Sequence, residues 1–123
     1  MIIGIGNDVV EIERFETVVE NESFMKKYFT LKEIEAGDKK GKKRTSFFAA
    51  NFSVKESVSK VFGTGILGFS LDEIEVLREE NGKPYVNLYG RAKEIADRLK
   101  INKIHVSITD TDNLVMTMVV GEN

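Results

Sequence analysis

FFAANFSVKESVSKVFGTG, residues 47–65, decides the fold of this chain. On a repeat of 3.6 residues per turn, Phe47, Val54, Val58 and Val61 fall on one side of a helix. Glu56 and Lys60 fall one turn apart on the opposite side. Ala49 and Phe52 share that side, so it is predicted to be only partly solvated. Gly63-Thr64-Gly65 ends the helix with residues that accept left-handed backbone and let other groups come close. Taken alone, the segment supports two readings. One is a site that handles a metal and a phosphate. The other is an i,i+4 Glu–Lys pair on a surface helix closed by a glycine. Surface placement is the commoner explanation of such pairs.

Upstream, residues 2–10 are predicted to be a strand. Its alternation puts Ile3, Ile5, Asn7 and Val9 on one face and Ile2, Gly4, Gly6, Asp8 and Val10 on the other. Asp8 thus shares a face with two glycines, whose missing side chains leave room for a ligand or for another backbone. The Gly-Ile-Gly run lacks the third glycine and the βαβ context of a dinucleotide fingerprint. Residues 11–29 are predicted to be helical with a break near Asn21. Ile12, Phe15, Val18 and Val19 form one apolar stripe. Phe24, Met25, Tyr28 and Phe29 form a second patch, interleaved with Lys26 and Lys27. With Arg14 the patch forms a candidate docking surface for an acidic partner, although a core-facing stripe with solvated lysines is the commoner meaning of such a pattern. Thr30 to Glu33 is a capping box that starts a short helix reaching about Ala36, followed by a loop over 37–41.

Downstream, residues 65–70 are a connection. Residues 73–79 and 85–89 are predicted strands joined through Asn81-Gly82, a hairpin turn, with Pro84 at the start of the second. Residues 90–100 form an amphipathic helix with Ala92, Ile95, Ala96 and Leu99 inward. Residues 103–110 and 114–120 are the last two strands, turning back over Thr111 to Asn113. Helices and strands mix without βαβ alternation, which predicts an α+β fold with a mostly antiparallel sheet.

The 123 residues suit a single domain spanning 1–123. A hydrophobic share of 41% with 31% charged residues is that of a soluble globular chain. The absence of Cys removes disulfides, thiolate metal sites and a Cys nucleophile, and fits a cytoplasmic setting. One His cannot build an imidazole-rich zinc site, so a divalent ion would be held by oxygen and would be magnesium, calcium or manganese. The N-terminal apolar run meets Asp8 too early for a leader or a membrane span. A net charge of −2 gives no general attraction for nucleic acid. The charge is uneven: Lys39, Lys40, Lys42, Lys43 and Arg44 cluster just before the central helix, where they could hold a terminal phosphate. His105 reads as a strand residue rather than a catalytic base.

Three stretches carry a resemblance. They are Gly4 to Arg14 (GIGNDVVEIER), Phe52 to Gly65 (FSVKESVSKVFGTG) and His105 to Asp110 (HVSITD). Together they resemble holo-acyl-carrier-protein synthase, the small bacterial type of 4′-phosphopantetheinyl transferase, and the likeness covers residues 2–120. It implies the fold of that family. It also implies transfer of 4′-phosphopantetheine from coenzyme A to a serine of apo acyl carrier protein, which supports fatty acid biosynthesis. Metal ligands are implied at Asp8 and Glu56, with magnesium as the ion, and a catalytic lysine at Lys60. Nucleotide and phosphate contacts are implied at Lys42, Lys43, Arg44, Ser59, Lys60, Gly63, Thr64, Gly65, Thr109 and Asp110. The carrier-docking surface is implied at Arg14, Phe24, Met25, Lys26 and Lys27. The assembly implied is a homotrimer with sites between subunits, with no nucleic-acid or membrane partner.

Two positions depart from the family pattern. Asn51 stands where an arginine usually precedes the Phe of the central motif, so the Lys42 to Arg44 cluster would have to supply the lost contact to the 3′-phosphate. Asp110 stands where a histidine is also common and offers no imidazole to a phosphate.

For the chemistry, two carboxylates from distant segments suit one magnesium and leave positions for water and phosphate oxygens. Lys60 suits a leaving phosphate. Amides near Gly63 to Gly65 suit phosphate oxygens. The proton of the attacking serine would go to Asp8 or Glu56 through water, or to a water held by the ion. Two other classes remain open at the level of sequence: a non-catalytic coenzyme A or nucleotide-binding module, and a structural trimer in which Glu56 and Lys60 merely pair.

Overall fold

The central helix, α4, spans Arg44–Phe62 and is the axis on which everything else packs. The structure is a computed structural model that describes residues 1–65 and 67–123. Before α4 come the strand β1 (Ile2–Glu11), a 3-10 turn (Ile12–Arg14) and three short helices, α1 (Phe15–Val18), α2 (Glu22–Tyr28) and α3 (Leu31–Asp38). After it come β2 (Ile74–Arg78), β3 (Pro84–Leu88), α5 (Gly90–Arg98), β4 (Lys103–Asp110) and β5 (Leu114–Glu122). The α+β expectation holds, and every strand pairing is antiparallel. The pairings form two sheets rather than one, a three-stranded sheet of order β1-β5-β4 and the β2-β3 hairpin.

Local signals set the element boundaries. Asn21 breaks the predicted 11–29 helix because its side chain accepts the Phe24 amide and restarts the chain as α2. The Thr30–Glu33 capping box forms as predicted, with both reciprocal bonds made. Its helix runs on to Asp38, two residues beyond the expected end. The Asn81-Gly82 hairpin also forms, with Gly82 at φ 89°. Gly63 closes α4 in left-handed backbone at φ 75°, donating to the carbonyls of Ser59 and Lys60.

Helix α4 is buried almost all round because one side meets the three-stranded sheet and the other meets α3 and β2. Its N-terminal part, Phe47 to Ala50, joins Val10, Phe15, Met25, Phe29 and Val115 in one apolar cluster. Its C-terminal part, with Val54, Val58, Val61 and Phe62, joins Ile74, Val76, Ile95, Ile101 and Val119 in another. The predicted stripe of Phe47, Val54, Val58 and Val61 is therefore core. Burying each of these valines contributes about 1.5–3 kcal/mol. Ala49, expected on the half-solvated side, is fully buried.

The glycines of β1 decide how close the helix comes. A Cβ on Gly6 would lie 2.0 Å from the Ser57 carbonyl oxygen, and one on Gly4 would lie 2.6 Å from that of Val61. Of the two expectations for the space beside Asp8, the second backbone is the one observed. Helix α4 fills it, which brings the middle of that helix against Asp8.

Candidate active site

Asp8, Glu56 and Lys60 come together where α4 crosses β1. Lys60 Nζ donates to the Asn7 carbonyl at 2.8 Å and stands 3.8 Å from Asp8 Oδ1. The other Asp8 oxygen, Oδ2, is buried and has no hydrogen-bond partner among the described residues. Burial, then the negative charge of Asp8, raises the Glu56 pKa above the ordinary glutamate value, and Lys60 partly offsets the rise. A stranded carboxylate oxygen beside a second carboxylate of raised pKa is a place short of positive charge. The donor set fits a hard divalent cation. Two carboxylates leave most of the coordination sphere to water and substrate oxygens, as magnesium prefers. Among the described residues no third Asp, Glu, His or Cys joins them.

The remaining predicted residues are distributed differently. Gly63, Thr64 and Gly65 are exposed just past the helix end. A Cβ on either glycine would meet nothing within 4 Å. Within this chain they are needed for their positive φ of 75° and 63°, not for close approach. The Ser59 hydroxyl is buried and donates to the Glu56 carbonyl, so it braces the helix at Glu56. Arg44 Nε donates to Asp38 at 2.9 Å and its guanidinium also reaches the Val19 carbonyl, so this arginine ties α4 to the chain before it. Lys42 is exposed. Lys43 and Asp110 do share a cavity of about 270 Å³, at the other end of α4 from Lys60, together with Lys40, Phe47, Arg78 and Pro84. Thr109 is exposed in β4. On the candidate docking surface, Arg14, Lys26 and Lys27 are exposed and Phe24 is half-buried. Met25 is 4% exposed and belongs to the core, so it offers no anchor to a partner.

Asn51 is fully buried. Its amide donates to Glu33 Oε2 and to the Val76 carbonyl, both at 2.9 Å, inside the seam between α3, α4 and β2. Sequence reasoning also missed the neighbours of that seam. Lys55 is fully buried, and its ammonium donates to Glu33 Oε1 at 2.7 Å, to the Leu71 carbonyl at 2.9 Å and to the Ile74 carbonyl. The available signal was the spacing Phe48, Asn51, Lys55, Phe62, which runs two polar residues along an apolar stripe. Arg78 was missed as well, and nothing in its local sequence marks it.

Comparisons with known proteins place the chain in a family. A sequence model of the 4′-phosphopantetheinyl transferase superfamily matches residues 4–119. The chain belongs to that superfamily. A holo-[acyl-carrier-protein] synthase of Lachnoclostridium phytofermentans is 46% identical over 122 residues, covering 99% of this chain and 97% of the relative. The crystal structure of holo-[acyl-carrier-protein] synthase from Neisseria meningitidis superposes with a TM-score of 0.90 at 28% identity, covering both chains completely. That of Bacillus anthracis, in complex with CoA (3′,5′-ADP), gives a TM-score of 0.82 at 32% identity over 100% of this chain and 98% of the other. The chain is accordingly an enzyme of the phosphopantetheinyl transferase class, and its fold is the one the resemblance implied.

Proposed function

We propose that the whole chain, acting as one domain, transfers the 4′-phosphopantetheine arm of coenzyme A to a serine of an apo acyl carrier protein, supplying holo carrier protein for fatty acid biosynthesis in the cytoplasm. The observation that carries the reading is the stranded Asp8 Oδ2 next to Glu56 and Lys60. Asp8 and Glu56 would hold magnesium, which when bound there supplies the positive charge and Lewis acidity that phosphoryl transfer draws on. Lys60 is a point charge, half exposed and already directed at the same corner, and it stabilises negative charge as that moves to the leaving group. The serine oxygen bonds to the phosphorus that carries pantetheine. The bond from that phosphorus to the bridging oxygen breaks, and the electron pair leaves with adenosine 3′,5′-bisphosphate. The serine proton passes through water to the Asp8–Glu56 carboxylates. Arg14, Lys26 and Lys27 around Phe24 form the surface for an acidic carrier protein.

A homotrimer with sites between subunits is part of the same proposal, and two observations support it. The face of the β1-β5-β4 sheet turned away from α4 exposes Ile5 by 60%, Val9 by 56%, Met116 by 56% and Met118 by 49%, an apolar surface that a second copy would cover. In addition, Arg44 and Lys60 are sixteen residues apart on one helix, about 24 Å of rise. The 3′-phosphate and the pyrophosphate of coenzyme A hang from one ribose. One molecule therefore engages the basic end of one α4 and the Lys60 end of another more readily than both ends of the same helix.

The test is Glu56→Gln, followed by intact mass of an apo carrier protein incubated with coenzyme A and magnesium. Wild type adds the pantetheine arm, and the variant is expected to be at least about a hundredfold slower, the loss typical of removing one group that stabilises the transition state. A folded variant with near wild-type transfer would overturn the site assignment. No mass gain with wild type would leave a binding module instead of a transferase.

A further inference from the structure

We propose that Arg78 recognises the terminal 3′-phosphate of coenzyme A, in a subsite formed with Lys40 and Lys43. The inference deepens the transferase reading and rests on it. Arg78 ends β2, and its guanidinium lies over the Phe47 ring, 4.7 Å from the centroid. Its Nη1 is buried with no acceptor, and among the described residues no carboxylate lies within ion-pair distance of it. Glu33 contributes some negative field, but both its oxygens are already engaged by Lys55 and Asn51. An arginine buried this way carries an unmet demand for an acceptor. Its planar fork suits phosphate better than any other side chain does.

The surroundings supply the rest of a phosphate site. Lys40 approaches the same Phe47 ring, 5.6 Å from its centroid, and Lys43 borders the same cavity. Three cations thus converge on a space of about 270 Å³ whose single anion is Asp110. A dianionic phosphate monoester matches the cations, while the Asp110 carboxylate suits a hydrogen-bond donor of the nucleoside. The cation missing at position 51 is therefore supplied from β2. Asn51 holds the carbonyl of Val76, two residues before Arg78 on the same strand. Arg78 also borders a second hollow with Lys32, Lys39 and Lys40, where two carboxylates, Glu35 and Glu79, already accompany the lysines.

The experiment uses the full chain with magnesium and apo carrier protein and compares coenzyme A with 3′-dephospho-coenzyme A. Arg78→Gln is expected to raise the KM for coenzyme A about tenfold, the weight of one charged hydrogen bond, with kcat unchanged and dephospho-coenzyme A unaffected. Arg78→Lys should recover part of the loss, Lys43→Ala should show the same selectivity, and Lys32→Ala should change neither substrate. Equal loss with both substrates would mark Arg78 as structural and overturn the inference, as would no loss or an effect of Lys32→Ala that matches Arg78→Gln. The binding of adenosine 3′,5′-bisphosphate against adenosine 5′-monophosphate, measured by calorimetry, asks the same question without turnover. A chain that transfers nothing would sink the transferase reading, and this arm would still decide Arg78.

Discussion

Lys55 and Glu56 are neighbours on α4, yet they belong to opposite kinds of ion cluster. Lys55 turns into the seam with α3 and β2, where one carboxylate and two carbonyls satisfy its ammonium and no water reaches it. Glu56 turns toward β1, where it meets another carboxylate, a lysine that is half exposed and an oxygen with no partner. Each cluster pairs a lysine of α4 with a glutamate, Glu33 of α3 in the closed one and Glu56 of α4 itself in the open one. The difference lies in what is left unsatisfied. A closed cluster has no bond to offer a ligand, so it organises the fold. An open cluster with surplus negative charge is costly to keep unless something arrives to neutralise it.

The sharpest way to break this contrast is to remove the ammonium from the closed cluster. Lys55→Met leaves Glu33 buried without its cation and frees the Leu71 and Ile74 carbonyls. The expected cost is about 3–5 kcal/mol of unfolding free energy, measured by urea denaturation. Combining it with Glu33→Met should return part of that cost, because an apolar pair needs no compensation. A single variant within about 1 kcal/mol of wild type would mean that Lys55 is not the strut its geometry indicates.

The same deletion in the open cluster should behave in the reverse way. Lys60→Met removes a half-exposed cation whose ion pair with Asp8 is loose at 3.8 Å. Stability should change by no more than about 1 kcal/mol. Pantetheine transfer, followed by intact mass, should fall roughly tenfold to a hundredfold, with kcat affected more than KM. Large destabilisation with intact transfer would put Lys60 in the structural class with Lys55.

The two clusters also differ in how far the sequence discloses them. The open one was legible in part. A residue count puts Gly4, Gly6 and Asp8 on one strand face and Glu56 with Lys60 one turn apart on a helix, but a surface ion pair stayed the commoner reading until the family resemblance joined Asp8 to them. The closed one was not. Glu33 stands in a capping box and already has a local reason to be there, and Lys55 reads like any charged residue beside Glu56. Only the packing of α3 and β2 on the far side of α4 makes them partners. Asn51 stood out only as a missing cation, and its place in the seam, bonded to Glu33, has no local sequence signal either. Met25 shows the limit of reading patches, since an apolar residue flanked by lysines served the core and not a partner. The helix breaks and caps were recovered because their causes are local.

The smallest effect expected is also the most specific to the open cluster. Glu56 has a folded pKa above its ordinary value because of burial first and Asp8 second. A carboxyl raised in this way binds its proton more tightly folded than unfolded. Its contribution to stability is present below the unfolded pKa and is lost as pH rises through the folded one. The same proton competes with any cation there, so magnesium affinity should weaken, as pH falls, before it would at an isolated glutamate. Asp8→Asn removes the repelling charge. The Glu56 pKa, read from its carboxyl carbon resonance, should fall toward the ordinary glutamate value while keeping the part due to burial. The slope of stability against pH across that window should flatten with it. Lys60→Met should raise the Glu56 pKa read from the same resonance, since Lys60 is the partner that favours the charged form. Opposite shifts in the two variants are what a shared site requires. A Glu56 titration indifferent to both would mean that the three side chains are close in space without acting on one another.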